Sequence, residues 1–145
     1  MTIEEQMNAV VNQLTEQERQ IEEAIYTALT LYAFHQQGCE RCVSAGLAET
    51  DASISKKNSF GHVVSRLAAV STNREGVLRR FNQMLTANTL TELSTHARGL
   101  IGMMKKNRVI MDYPSFALDL YHFQQPDAHR NVLLAWGKDF YMHLH

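Results

Sequence analysis

Only two cysteines and two prolines occur among the 145 residues of this sequence. Two cysteines cannot build the multi-disulfide framework on which small secreted domains depend. Long apolar runs are also missing: none approaches the roughly 18 residues that suggest a membrane-spanning helix. The first residues, MTIEEQ, lack the basic and then apolar pattern of a signal peptide. These absences favour a cytoplasmic protein with no membrane segment.

The composition is that of an ordinary folded chain, with 45% apolar and 20% charged residues. Such a chain buries enough apolar surface to fold, unlike a disordered segment of low hydrophobicity and high charge. Its length is typical of one domain with a single core. We therefore expect residues 1–145 to form one domain.

The charges are distributed unevenly along the chain. Residues 1–55 carry nine acids against Arg19 and Arg41, a net charge of −7, whereas residues 56–108 carry ten bases against Glu75 and Glu92, a net charge of +8. A fold that separates these segments has a strongly positive face, which suits a polyanion or an acidic partner. The alternative is a dipolar surface that serves only solubility.

Helix-start signals recur along the chain, because Ser or Thr followed three residues later by Glu satisfies two backbone donors. They occur at Thr2, Thr15, Thr72 and Thr89. Apolar residues at three- and four-residue steps predict a helix from about 16 to 37, with one buried apolar stripe. Gly38 is expected to end this helix. Similar stripes, together with Pro114 and Pro126 as first-turn prolines, predict helices at 60–71, 75–87, 89–106, 114–123 and 126–142.

No alternating strand pattern accompanies these helices. The sequence thus predicts an all-α, single-domain bundle of five to six helices, with one long polar loop at 38–58. Within that loop, Cys39 and Cys42 form a C-x-x-C pair, to which His35 and His62 are the nearest further zinc ligands. One such pair is a weak signal, and two free thiols are the favoured interpretation. We expect no metal and no cofactor.

Catalysis finds little support in the sequence. It has no glycine-rich phosphate loop, nucleophile elbow or paired carboxylates, and its seven histidines show no metal-ligand or catalytic spacing. His35 falls on an apolar stripe, where a hydrogen-bonded core histidine is the common explanation. A non-enzymatic protein is expected.

The basic residues follow helical geometry. On the 75–87 helix, Arg79 is predicted to face solvent, whereas Arg80 flanks the apolar stripe and could brace a neighbouring helix. Arg98 and Lys105 lie about 10.5 Å apart along the next helix, a spacing that suits successive phosphates. Gly99 and Gly102 interrupt that helix, which indicates close approach by a neighbouring helix, a nucleic-acid strand or a partner subunit.

Five strings, in order, closely resemble the CasB family, the small subunit of the type I-E CRISPR surveillance complex Cascade. They are EAIYTALTLYAFHQQG, NSFGHVVSRLA, EGVLRRFNQMLTANTLTELSTHARGLIGMM, DYPSFALDLYHFQQPD and VLLAWGKDFYMH, within residues 20–143. The resemblance implies an all-helical, non-catalytic subunit present as two copies. Its expected partners are the backbone subunits, the large subunit, the guide RNA and the target DNA. Such subunits steady the R-loop through sequence-independent backbone contacts.

The resemblance also implies which residues bind nucleic acid. The family's basic positions match Lys56, Lys57, Arg66, Arg79, Arg80 and Arg98, and the basic segment adds Lys105, Lys106 and Arg108. His62 stands where relatives often have arginine, and family members usually have a longer lead before the EAIYTALTLY string. An alternative function is a helical adaptor whose positive face docks an acidic protein, for example the −7 half of a second copy.

Overall fold

A computed structural model describes residues 1–44 and 59–144 of the chain. Six helices lie in these ranges: α1 (Ile3–Gln36), α2 (Phe60–Val70), α3 (Arg74–Met84), α4 (Leu90–Lys106), α5 (Tyr113–Phe123) and α6 (His129–His143). The described residues contain no strand, only an isolated bridge between Ser44 and Met111. The predicted all-α bundle is therefore confirmed.

The first helix is much longer than the sequence suggested. It begins at Ile3 with a capping box, in which Thr2 accepts from the Glu5 backbone and Glu5 accepts from Thr2. Thr15, predicted as a second helix start, instead donates its hydroxyl to Val11 O within the same helix. Because neither proline nor glycine interrupts residues 3–36, one helix continues through this point.

Other predicted helix ends also shift. Asn73, not Thr72, caps α3, because its carboxamide oxygen accepts from Gly76 N. Pro126 lies in the turn before α6, which begins three residues later at His129, so this proline does not open the helix. Pro114 does lie in the first turn of α5. Gly38 has a φ of +76° just beyond the end of α1, as a helix-terminating glycine should.

All six helices contribute to the core, which is rich in aromatic rings between α2, α3, α5 and α6. Phe60 contacts Phe81, Phe116 and Trp136, and Phe81 packs on Phe140 with ring centroids 4.3 Å apart. The main helix pairs are α2 with α6, α1 with α5, and α3 with α4. Helix α4 also contacts α1, so α4 lies between α3 and α1 and carries much of the predicted basic set.

The stripe on α1 was predicted to be buried, and this is only partly right. Ala24, Ala28, Leu31 and His35 are buried, but Ile21, Ile25 and Leu29 are 43%, 49% and 60% exposed. Among the described residues, no helix is both long and apolar enough to cross a membrane.

Candidate nucleic-acid interface

Helices α3 and α4 position most of the predicted nucleic-acid-binding residues. The basic face, as we define it, comprises side chains of α3, of α4 and of the residue that follows the C-cap of α4: Arg79, Arg80, Arg98, Lys105, Lys106 and Arg108. Lys105 is half-buried and the other five are exposed. Within residues 1–44 and 59–144, no ion pair joins any of the six to an acid. No carboxylate in this part of the chain therefore neutralises their positive charges through an ion pair.

Local sequence explains this absence of counter-charge. No acid occurs between Glu75 and Glu92, and none between Glu92 and Asp112. Lys105 and Lys106 lie in the last turn of α4, where cations interact favourably with the negative end of the helix dipole. Arg108 follows the helix with a φ of 58°, in the left-handed region.

Arg80 crosses from α3 to α4. A Cβ built at Gly99 would overlap Arg80 Nη1 and lie 3.6 Å from Arg80 Cδ. The close approach that Gly99 indicated is thus made by a side chain of the neighbouring helix. Arg79, one residue earlier, is exposed. The two adjacent arginines therefore have different surroundings, as the helical periodicity predicted.

Phe34 of α1 receives two cations from α4. Arg98 Cζ lies 3.9 Å from the centroid of the Phe34 ring, and Lys105 Nζ lies 5.4 Å from it. Lys105 also donates to Phe34 O, 3.2 Å away, near the carboxyl end of α1. A Cβ at Gly102 would lie 3.7 Å from the same ring. Arg98 and Lys105 thus hold α1 against α4, which gives them a structural role that the sequence did not indicate.

The hydroxyls beside these cations are already engaged. Ser94 and Thr95 both donate to Thr91 O at 2.9 Å, so neither hydroxyl proton is available to a phosphate in this arrangement. Thr91 and Ser94 also line a groove with Glu22 and Glu23 of α1. Because carboxylates repel phosphate, the carboxyl-terminal half of α4 suits a polyanion better than its amino-terminal half.

Arg41 is a candidate residue that the sequence interpretation missed. It lines a cleft of about 660 Å³ at the carboxyl end of α1 together with Lys105, Arg108 and one acid, Glu40. The Gln36 carboxamide holds this segment, since it donates to Arg41 O at 2.8 Å and accepts from Val43 N at 3.0 Å. In the sequence, Arg41 lies within the C-x-x-C motif of an acidic segment, and neither feature indicates a role for it in binding a polyanion.

Other predicted residues lie elsewhere. Arg66 is exposed on α2, which packs mainly against α6, and partial desolvation lowers the pKa of its guanidinium. An arginine remains protonated at neutral pH despite such a shift. Lys56 and Lys57 lie outside the described residues, as does most of the predicted 38–58 loop.

The cysteines and His35 do not form a zinc site. Cys39 and Cys42 are free thiols, and each donates to a nearby backbone carbonyl. His35 is buried and bonds Tyr113 Oη at 2.8 Å and Val109 O at 3.0 Å. Since Val109 O only accepts, His35 Nε2 carries the proton and Nδ1 accepts from Tyr113. In the described ranges, no group of three or more His, Cys, Asp or Glu side chains is placed to hold a metal ion.

Burial has a clear effect on this histidine. Desolvation is the main cause that lowers the pKa of His35, the positive charge of Lys105 adds to it, and the bond to Val109 opposes it. The ring is therefore neutral at pH 7, as the bond from Tyr113 requires. This confirms the prediction of a hydrogen-bonded core histidine.

The described residues thus form an all-helical bundle with a cationic face on two neighbouring helices. Comparison with known proteins identifies the family. The model of the CRISPR-associated protein Cse2 family matches residues 2–141, nearly the whole chain. The chain belongs to this family, which confirms the resemblance to CasB.

A solved structure supports the same assignment. The crystal structure of CasB from Thermobifida fusca is similar to this fold, with a TM-score of 0.66 and 29% sequence identity. The match covers 82% of this chain and 62% of the CasB chain, so this chain spans less than two thirds of that protein. No curated protein matches the chain.

Proposed function

We propose that this chain is a non-catalytic small subunit of a type I-E CRISPR Cascade complex. In this role it binds nucleic-acid backbone through the basic face and stabilises the R-loop formed by guide RNA and target DNA. The observation that carries the proposal is the set of exposed cations on α3 and α4 that no acid among the described residues neutralises. Membership in the Cse2 family supplies the CRISPR context.

The basic face suits backbone contact rather than base recognition. Contacts from arginine and lysine to phosphates position a protein on nucleic acid without reading sequence. In guide-directed complexes the base pairing reads the sequence, so a subunit that adds only electrostatic contacts is sufficient for this task. We place Arg79, Arg80, Lys106 and Arg108 in direct contact with phosphate. Arg98 and Lys105 contribute charge while they hold Phe34.

Reconstitution tests this function. The chain is added to a Cascade complex that lacks its small subunit, and target-DNA binding and R-loop lifetime are measured. Restored R-loop formation supports the proposal, and a complex that neither incorporates the chain nor gains lifetime contradicts it. The same experiment with the variant Arg79→Ala plus Lys106→Ala should shorten the R-loop lifetime.

A matched control separates local contacts from total charge. Arg130→Ala plus Lys138→Ala also removes two exposed cations, but from α6. For single-stranded DNA, each lost phosphate contact should reduce the slope of log affinity against log salt by about 0.7. We expect a reduction of up to ~1.4 for the α3 and α4 variant and little change for the control. Equal slopes for the two variants would contradict the assignment of the basic face.

The adaptor function makes a different prediction. If the basic face docks an acidic protein, association with other subunits should persist after nuclease treatment, and nucleic acid should not crosslink to residues 59–108. Crosslinks at α3 and α4 that disappear at high salt favour the proposed backbone contact.

A further inference from the structure

An apolar stripe runs along α1, whose residues 3–16 are exposed on every side and whose residues 20–35 pack one face against the bundle. At 100° per residue, its members fall within a sector about 100° wide that is adjacent to the buried face of the helix. It extends over about 39 Å of helix. Its residues are 43% to 75% exposed: Ile3, Met7, Val10, Val11, Leu14, Ile21, Ile25 and Leu29.

The stripe ends in an apolar groove between α1 and α5. Ile25 and Leu29 line this groove, of about 290 Å³, with Tyr113, Pro114 and Ala117. One turn beyond Pro114, Leu118 is 56% exposed and extends the apolar surface along α5. Large exposed apolar patches of this kind mark interaction sites on soluble proteins. A long apolar stripe that leads into a groove suits the binding of an amphipathic helix from a partner. In this mode of recognition, an anchor side chain of the partner helix fills the groove.

The charges beside the stripe identify the partner's chemistry. On one side, Glu4 and Glu22 lie about 20° beyond the edge of the stripe, and Glu18 lies about 20° inside that edge, between Leu14 and Ile21 along the helix. The other side carries the amides of Gln6, Gln13 and Gln17. Arg19, the only base in α1 apart from His35, projects away from the stripe and bonds Glu16 and Glu23. The acids beside the stripe are therefore not neutralised by Arg19.

A second copy fits this surface poorly. If two α1 stripes paired, six carboxylates and no lysine or arginine would flank one seam, and like charges across a helix pair are unfavourable. An anionic lipid surface is disfavoured for the same reason. A helix that carries lysine or arginine beside its apolar face satisfies both the stripe and the acids.

From this we infer that the exposed face of α1 and its groove with α5 bind a basic amphipathic helix of another protein. The apolar residues of that helix cover the stripe, with one bulky side chain in the groove, and its cations lie against Glu4, Glu18 and Glu22. This surface is separate from the basic face, and the inference does not depend on nucleic-acid binding.

Two synthetic helical peptides test the inference on the full chain. They share one apolar face and differ only in the flanking residues, which are lysine in one peptide and glutamate in the other. Fluorescence anisotropy gives the affinity of each peptide. We expect the lysine peptide to bind at least tenfold more tightly, with the preference reduced at high salt.

Variants assign the binding to the stripe and its flank. Leu14→Gln plus Ile25→Gln should weaken the lysine peptide at least tenfold, whereas the control Val70→Gln plus Leu134→Gln, at positions 57% exposed on α2 and α6, should not. Glu18→Lys plus Glu22→Lys should reverse the preference toward the glutamate peptide. An unreversed preference, or equal affinities for the two peptides, would overturn the inference.

Two further outcomes count against it. A concentration-dependent dimer in analytical ultracentrifugation that Leu14→Gln plus Ile25→Gln abolishes would show that a second copy covers the stripe. Stronger binding to phosphatidylserine vesicles than to the lysine peptide would show a membrane surface instead.

Discussion

Arg80 of α3 lies across Gly99 of α4, so closely that a Cβ at Gly99 would overlap the Arg80 guanidinium. The conflicting atom is the end of a flexible side chain, which can move without any shift of the backbone. Gly99→Ala should therefore displace Arg80 and leave the fold intact. Because alanine in a helix interior is favoured over glycine by about 1 kcal/mol, the free energy of unfolding should stay equal or rise.

Urea denaturation of Gly99→Ala and of Arg80→Ala checks this relationship. If the two helices depend on the Arg80 contact for stability, both variants will be destabilised, contrary to our expectation for Gly99→Ala. Nucleic-acid affinity supplies a second measurement, since a displaced Arg80 should change it less than its removal does.

Gly61 should behave in the opposite way. A Cβ there would overlap the backbone carbonyl oxygen of Trp136 and would lie 3.0 Å from Asp139 Cβ, so α2 and α6 would have to separate. Overpacking of this kind typically costs about 1–3 kcal/mol. Gly61→Ala should lower the midpoint of thermal unfolding measurably. A midpoint equal to that of the parent chain would mean that the helices separate at no cost.

Arg98 and Arg79 provide a matched pair of charge removals. Arg98→Ala loses the contact with the Phe34 ring and should destabilise the fold by about 0.5–1 kcal/mol, the usual size of an exposed cation–π interaction. Arg79→Ala removes an exposed arginine and should change stability by less than ~0.5 kcal/mol. Chemical denaturation of both variants tests whether Arg98 has this structural role. Equal free energies of unfolding for Arg98→Ala and Arg79→Ala would show that it does not.

His35 should make the fold sensitive to mild acid. Its pKa is lowered in the folded protein, so the unfolded chain takes up the proton first as the pH falls below the unperturbed value of 6.5. Stability should then decrease from that pH down to the folded-state pKa. His35→Gln, which should be about 1–3 kcal/mol less stable at pH 8, lacks this titration. Melting curves should show the difference between the two proteins narrowing as the pH falls, and a constant difference would contradict the prediction.

Asp119 should have the opposite effect on how the stability of the fold depends on pH. Burial is the main cause that raises its pKa, although the hydrogen bond from Trp136 Nε1, 2.9 Å from Asp119 Oδ2, opposes the shift. The folded state therefore takes up the proton before the unfolded state, and stability from this group is gained as the pH falls toward 3.8.

The variant Asp119→Asn keeps an acceptor for Trp136 and removes the buried charge. We expect it to be at least as stable as the parent chain at pH 7, with its advantage shrinking as the pH approaches 3.8. Thermal unfolding between pH 3.5 and 7 measures this. An advantage that grows as the pH falls would show that the carboxylate is stabilising.

Periodicity was a sound guide to which helices exist and a poor guide to which faces are buried. The apolar residues of α1 span a wider sector than the bundle covers, so Ile21 and Leu29 are exposed while Ala24 is buried. A helical wheel measures the width of an apolar face, but only the neighbouring helices determine how much of it is covered.

The candidate site shows the same division. Charge distribution alone indicated a basic segment, and α3 and α4 do expose its side chains together. The contacts of Arg98 and Lys105 with Phe34 join residues about 70 positions apart, and no local pattern encodes such a distance. Those contacts change the expected role of both residues.

The sequence by itself determined the helical class, the separation of charge and, through its five strings, the family, because these depend on local composition and spacing. Tertiary structure alone decided that Arg80 reaches Gly99, that Phe34 receives two cations, and that one side of α1 stays exposed. Those features depend on how the helices pack against one another, and packing is a property of the whole chain.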